Sequence, residues 1–426
     1  MWEKAKILLL AASLGVSFAA QAAKPAKPEV EKPVTNPAVQ AAEVLAALDA
    51  YRFNDALRLA DRYAKVFNDA AADTLPSPEE LRTRALMGTN MLERVQEVDV
   101  LERYIIDAQD VAAFLNQRLG YTLFLDEDAF GELQVPLAAD STYVQSAFLY
   151  PNGRTVLWSD DTADEAKLMV SRMLSDNTWD VPEEYITLKG LFPDEECGYT
   201  MTAPFVAQDG VTVYFGADGP QSLGGLDIFM TRCDPETGEF LRPLNMGMPF
   251  NSPANDFLLA IDERNGEGWW VTDRDMSQMP DSVMVYRYKL PGETRVNHPA
   301  DAPDLVEFAK GVLGDDKTHI VELEDTEILL PEEEKTEPVP VALELADGTL
   351  ITSVDMVDTT VGRAAVSRYL DALQAYKNTR RDVEELRARY AEDKSLKDTL
   401  LKAEQNLEAQ RAALRKIQNA AIRALQ

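Results

Sequence analysis

Histidine and cysteine are nearly missing from this chain, which has two of each. His298 and His319 lie in a weakly patterned acidic stretch, and no H-E-x-x-H motif or Cys/His zinc spacing occurs. No G-x-S-x-G elbow occurs either, and neither cysteine has a histidine near it in sequence to act as its base. Cys197 enters one expected strand and Cys233 leaves another at the opposite edge of the same sheet. That placement disfavours a disulfide, which needs Cα atoms roughly 4.4–6.8 Å apart.

Positive charge is also scarce. Against 73 acidic residues stand 42 Lys and Arg, for a net charge of −31. A nucleic-acid binder carries a basic face, and a binder of anionic lipid surfaces carries a basic cluster, so both classes are excluded. The acidity reads as a solubilising surface.

Long apolar runs are confined to the start. Lys4 and Lys6, the apolar residues 7–20 and the triplet Ala20-Gln21-Ala22 together make a secretory signal at 1–22. No cysteine lies near that cleavage site, so a lipoprotein anchor is not expected. No later run approaches the ~18 residues of a membrane span, so the mature chain is expected to be periplasmic, without a transmembrane segment.

What is present is a repeat. Residues 148–161, 203–218 and 258–273 carry the same phrase, centred on Asn152-Gly153, Asp209-Gly210 and Asn265-Gly266. Asn-Gly and Asp-Gly supply the positive φ of a tight hairpin turn. Runs rich in β-branched and aromatic residues flank each turn, and a third run follows at 168–173, 226–232 and 283–288. Three or four antiparallel strands per unit, repeated about every 57 residues, predict blades of a β-propeller. Segment 97–107 adds a strand and 110–117 a short helix. Segments 121–135 and 320–356 are where further strands are expected.

The second copy carries a resemblance. D-G-V-T-V-Y-F-G-A-D-G-P-Q-S-L-G-G-L-D-I-F-M-T-R, continued by P-E-T-G-E-F-L-R-P-L-N-M-G-M-P-F-N-S-P-A-N-D-F over 209–257, is similar to the WD-like repeat of TolB-type envelope proteins. The chain also resembles Gram-negative envelope proteins that join tetratricopeptide-like helices to such a propeller. Many of those end in an OmpA-like peptidoglycan-binding domain, and this sequence contains no such segment. The resemblance implies partners among outer-membrane or peptidoglycan-associated proteins. It also implies, as a further setting, the accessory parts of a secretion and gliding apparatus.

The expected fold is therefore mainly β with α: a β-propeller, incomplete or of four to six blades, between N-terminal TPR-like helices and a C-terminal helical hairpin. After the signal comes a Pro- and charge-rich tether at 23–36. Helices at 37–50 and 53–70 and another starting at Ser77 fill 37–95, the last with Ser77 as N-cap and Glu80 completing a capping box. The propeller repeats span 97–290. An acidic linker or long loop covers 291–340, and candidate closing strands cover 341–360. Residues 361–426 form a hairpin of coiled-coil character, with Tyr369, Tyr376, Val383 and Tyr390 spaced by seven, as are Leu400, Leu407 and Leu414.

Candidate rim or ligand residues follow from the repeat. Asp161, Asp218 and Asp273 hold equivalent positions after the turn. As a group they suit a carboxylate pair for glycoside cleavage or a calcium site, or caps on their own strands. Symmetric repetition favours caps. Trp158, Trp179, Trp269 and Trp270 suit sugar stacking or a blade core. Gly216, Gly219, Gly224 and Gly225 join strand to strand rather than strand to helix, so they read as turn residues and not as a phosphate loop. No catalytic residue, cofactor or metal site is assigned. The expected function is a non-enzymatic periplasmic interaction scaffold, with a glycan-binding or glycan-cleaving propeller as the alternative.

Overall fold

The computed structural model describes residues 36–425 except 126–129, 132, 136–143, 152, 162–165, 174–177, 194–199, 220, 235–236, 293–295, 313–317, 322–342, 345–349 and 352. The signal sequence and nearly all of the tether, and Cys197, lie outside the described residues. Cys233 carries a free, half-buried thiol.

The chain enters through helices whose ends are written locally. In α1 (Pro37–Asp49) proline occupies the first turn, and the Asn36 side chain accepts from the Ala38 N–H at 3.0 Å. Helix α2 (Phe53–Tyr63) stops short of the expected residue 70, and α3 (Asp69–Ala72) restarts behind an Asn68 cap. Helix α4 (Pro78–Leu92) has the predicted Ser77 cap, whose Oγ accepts from the Glu80 N–H at 3.1 Å. The spacing of Ala56, Ala60 and Tyr63 puts them on one buried face of α2. That face meets Val44, Leu48, Leu81 and Ala85, and the same core takes in Leu223 and Met248 from the β region.

Strand β1 (Asp99–Asp107) follows, then α5 (Val111–Leu119) and a first sheet. This sheet runs in the order β2 (Thr122–Phe124), β3 (Val144–Leu149), β4 (Thr155–Asp161), β5 (Ala166–Arg172) and β6 (Glu183–Thr187), each pair antiparallel. After the one-turn α6 (Leu188–Leu191), a second sheet is made of β7 (Met201–Val206), β8 (Thr212–Ala217), β9 (Asp227–Arg232) and β10 (Leu244–Asn245). The third contains β11 (Asp256–Asp262), β12 (Glu267–Thr272) and β13 (Ser282–Lys289). The hairpin turns fall where the sequence puts them: Gly153, Gly210 and Gly266 have φ of 66°, 68° and 67°.

The third sheet is completed by non-local strands. β1 lies antiparallel to β13, and β14 (Thr318–Val321) lies parallel to β1 on its other side. The first element of the β region is thus held in its last sheet. The sheets pack in chain order, with β3 and β4 against β7, and β7, β8 and β9 against β11. Helix α5 bridges the third sheet to the first. Its Phe114 packs on Trp269 and Tyr104, and its Leu119 carbonyl accepts from Arg264 Nη2 at 2.7 Å. The ring of Tyr121, just beyond α5, meets Phe148 of the first sheet and Phe205 of the second.

The described residues hold three sheets of four or five strands; the expectation was a propeller, incomplete or of four to six blades. Two segments differ from the expectations. The segment expected to be a linker or long loop holds a helix: α7 (Leu305–Ala309) buries Leu305 and Ala309 against the helical layer. β14 overlaps the start of 320–356, where a strand was expected, and extends the third sheet. The candidate closing strands β15 (Leu343–Glu344) and β16 (Leu350–Ile351) pair only with each other. Their Leu343 and Ile351 share a small core with Val366, Tyr369 and Ala421 of the tail, which offers an apolar surface that two-residue strands can cover.

That tail is the predicted hairpin, α8 (Thr360–Glu392) and α9 (Lys397–Leu425). Its far ends meet where Gly362 approaches Leu425, and Arg387 pairs with Glu404 across it at 2.9 Å. Its heptad stripe does more than hold helix to helix. Tyr376 and Arg380 reach Asp180 at 3.2 and 3.1 Å, and Arg411 reaches Glu183 at 2.9 Å, beside the outer strand of the first sheet. The hairpin covers that edge through few, mostly polar contacts. A chain ended at residue 340 is therefore expected to keep a cooperative melt and β-type circular dichroism. Loss of either would make the hairpin part of the core.

Candidate functional site

The repeated aspartates end equivalent strands. Asp218 follows β8, and its Oδ1 accepts from the Thr200 N–H at 2.9 Å, just before β7. Asp273 follows β12, and its Oδ1 and Oδ2 accept from the Asn255 N–H and Nδ2, both at 2.7 Å, just before β11. Each thus closes the open end of its own hairpin, and each is itself bonded back, Asp218 N–H to the Thr200 carbonyl and Asp273 N–H to that of Asn255. Asp161 is the last residue of β4, where its backbone pairs with Ala166. The carboxylates of Asp218 and Asp273 are not brought together; each serves a different sheet.

Three of the four candidate tryptophans are interior, and the half-buried Trp179 packs beside Trp158's core and donates its indole N–H to the Leu133 carbonyl at 2.8 Å. Trp158 and Trp270 are 0% exposed and Trp269 is 4% exposed. Trp158 packs on Phe130 with ring centroids 5.5 Å apart. Trp270 stacks on Tyr286 at 4.3 Å and 3°. Trp269 lies against Tyr104 and Phe114 with the Arg287 guanidinium over it. A ring with no exposed face cannot stack on a sugar; these build the sheet cores.

The densest polar cluster lies where the second sheet meets the third, in the most distinctive part of the repeat. Fully buried Asp227 opens β9 and accepts from Leu223 N–H (2.9 Å), Gly224 N–H (3.1 Å) and Asn245 Nδ2 (2.7 Å). Asn251 clamps Ile228, accepting its N–H at 2.8 Å and donating to its carbonyl at 2.9 Å. Fully buried Asp256 opens β11 and accepts from Ser252 N–H at 2.6 Å and Oγ at 2.8 Å. Its other oxygen takes Arg274 Nη2 at 2.6 Å, while Arg274 also donates to the Pro249 and Phe250 carbonyls at 2.9 Å. From the helical layer, Arg84 donates to the Leu223 carbonyl at 2.7 Å and the Pro253 carbonyl at 3.3 Å. One cluster therefore ties two sheets and the helices together.

Gly219, Gly224 and Gly225 lie in the connection from β8 to β9, strand to strand as expected, whereas Gly216 lies within β8. Two of the four also serve contact: a Cβ on Gly224 would meet the Ala254 carbonyl oxygen at 1.7 Å, and one on Gly216 would meet that of Phe257 at 2.6 Å, so both let the two backbones approach. Asp227, Asp256 and Arg274 were not singled out from sequence. Their signal was a charge directly abutting an apolar strand, as in Asp227-Ile228-Phe229 and Asp256-Phe257-Leu258.

Electrostatically the cluster is tense. Burial, reinforced by the Asp256 carboxylate, pushes Asp227 from the ordinary 3.8 up to about 7, against the pull of the Leu223, Asn245 and Gly224 donors. Burial opposes the charge on Arg274, but the facing Asp256 outweighs it and drives Arg274 further up. Among the described residues no three His, Cys, Asp or Glu gather as metal ligands, and no helix is long and apolar enough to cross a membrane. No protein-family model and no curated protein matches this chain.

Two outcomes follow. Arg274→Ala leaves Asp256 buried without its counter-charge and is expected to cost about 3–5 kcal/mol. Asp218→Asn, at a half-buried cap, is expected to cost about 1 kcal/mol; urea melts of both variants check the contrast. The stability held by protonated Asp227 is fully present below the ordinary 3.8 and is lost as pH rises through about 7. Asp227→Asn is therefore expected to flatten the fall in stability across that window, measured by denaturant midpoints at a series of pH values.

Proposed function

We propose that this chain is an exported, non-enzymatic interaction scaffold of the cell envelope, its three sheets being blades of a TolB-type propeller. The observation that carries the proposal is the internal use of two repeated aspartates and three tryptophans of the repeat. Asp218 and Asp273 bind their own backbone amides, and Trp158, Trp269 and Trp270 are buried. The repeat thus builds a body, and function falls to its surfaces. The strand order supports the propeller assignment, because β1 joins the last sheet and links the beginning of the β region to its end. The fused helices support the scaffold role, since both ends of the chain present helical surface around a β body. Partners are outer-membrane or peptidoglycan-associated proteins, with a secretion or assembly machine as one setting. The tripartite signal at 1–22 directs the chain to the periplasm.

The test is photo-crosslinking in intact envelopes, with the reactive residue placed on exposed α2 or α9 positions. Discrete adducts with envelope proteins, and a mature N-terminus near Ala23, are the expected result. A cytoplasmic protein retaining Met1, or glycan turnover that Asp218→Asn abolishes, would refute the proposal.

A further inference from the structure

A cleft of about 210 Å³ lies between the second and third sheets, where β8, β11 and β13 meet residues 96–98, Leu290, Pro291 and Val296. Its floor is apolar and fixed: Tyr214, Met246, Phe250, Leu259 and Tyr288 are all buried. At the mouth Val296 is 51% exposed. The volume is below the ~300–1,000 Å³ of small-molecule sites, so the space suits one large side chain rather than a cofactor.

Among the described residues the carboxylates at the rim face no cation. Glu97 and Glu263 are the ionisable residues that line the rim with a full charge, and among the described residues no Lys, Arg or His does. Both glutamates are exposed. Neither has a hydrogen bond or ion pair from its side chain among the described residues, whereas Glu102 and Glu267 of the same sheet share Arg287, and Asp262 is tied to Arg264 and Asn265. Two unanswered carboxylates beside an apolar slot define a cationic partner with an apolar centre. A second copy of this chain, itself at −31, meets that rim with like charge and is disfavoured.

We propose that this cleft docks a partner peptide that inserts one large apolar side chain between flanking lysines or arginines. The inference rests on the scaffold role and specifies the chemistry of one of its partners. The full chain is titrated by calorimetry with the peptides acetyl-GKFKG-amide and acetyl-GEFEG-amide. The lysine peptide is expected to bind at least about tenfold more tightly, with affinity falling as salt rises. E97K/E263K, which alters only exposed groups, is expected to reverse that order. V296W, also at an exposed position, is expected to close the mouth and abolish binding of both. Equal binding of the two peptides, no binding of either, or binding untouched by V296W would overturn the proposal. Envelope crosslinks that persist unchanged in these variants would sink the cleft alone and leave the scaffold role standing, whereas loss of all crosslinks from the unaltered protein would sink the scaffold role itself.

Discussion

A carboxylate taken out of water must be met by donors or by an opposite charge, and the joint between the second and third sheets depends on how that is done. Asp256 is held by Ser252 and by the buried Arg274, whose remaining donors fix the carbonyls of Pro249 and Phe250. The loop from β10 to β11 therefore cannot move without leaving a charge unpaired. Asn251 clamps the other side of that loop to Ile228 of β9, and Asp227 holds Asn245, where the loop begins. A buried ion pair of this kind adds little net stability over apolar packing, but it punishes any arrangement in which one partner is misplaced. Its contribution is to fix how the sheets sit against each other, and with them the helices that Arg84 attaches to the same loop.

The repeated aspartates work at a smaller scale. Asp218 and Asp273 sit where a hairpin's first and second strands would splay, and each carboxylate holds the incoming strand by its amide. The same residue type at the same place in successive units solves a problem that every hairpin has. A catalytic group answers a problem that occurs once. Symmetry in the sequence therefore pointed toward structure, and the hydrogen bonds show the physical reason.

The tail hairpin is held to the first sheet by Asp180 and Glu183 facing Tyr376, Arg380 and Arg411. Such partly exposed pairs are individually weak, so the hairpin is attached without being built into the core. The cleft beside Glu97 and Glu263 is different in kind, since its apolar floor belongs to the same core that joins the sheets.

Local chemistry alone determined much of this protein. Asn-Gly and Asp-Gly placed the hairpin turns, Ser77 and Glu80 placed the start of α4, and the seven-residue spacing placed the tail hairpin, because each of these features is decided within a few residues of chain. Tertiary structure alone decided the rest. No local pattern in residues 99–107 says that they pair with β13, nor in 318–321 that they lie beside β1, because strand partners are chosen by distant backbone. The segment read as a linker gained α7 for the same reason: its few apolar residues become decisive only when a matching surface faces them. Whether Trp158, Trp269 and Trp270 faced water or core depended on which sheet faces came together. Asp227 and Asp256 were legible as charges at strand starts, but that they share one buried site with Arg274, which follows β12, is decided only by packing the second sheet against the third.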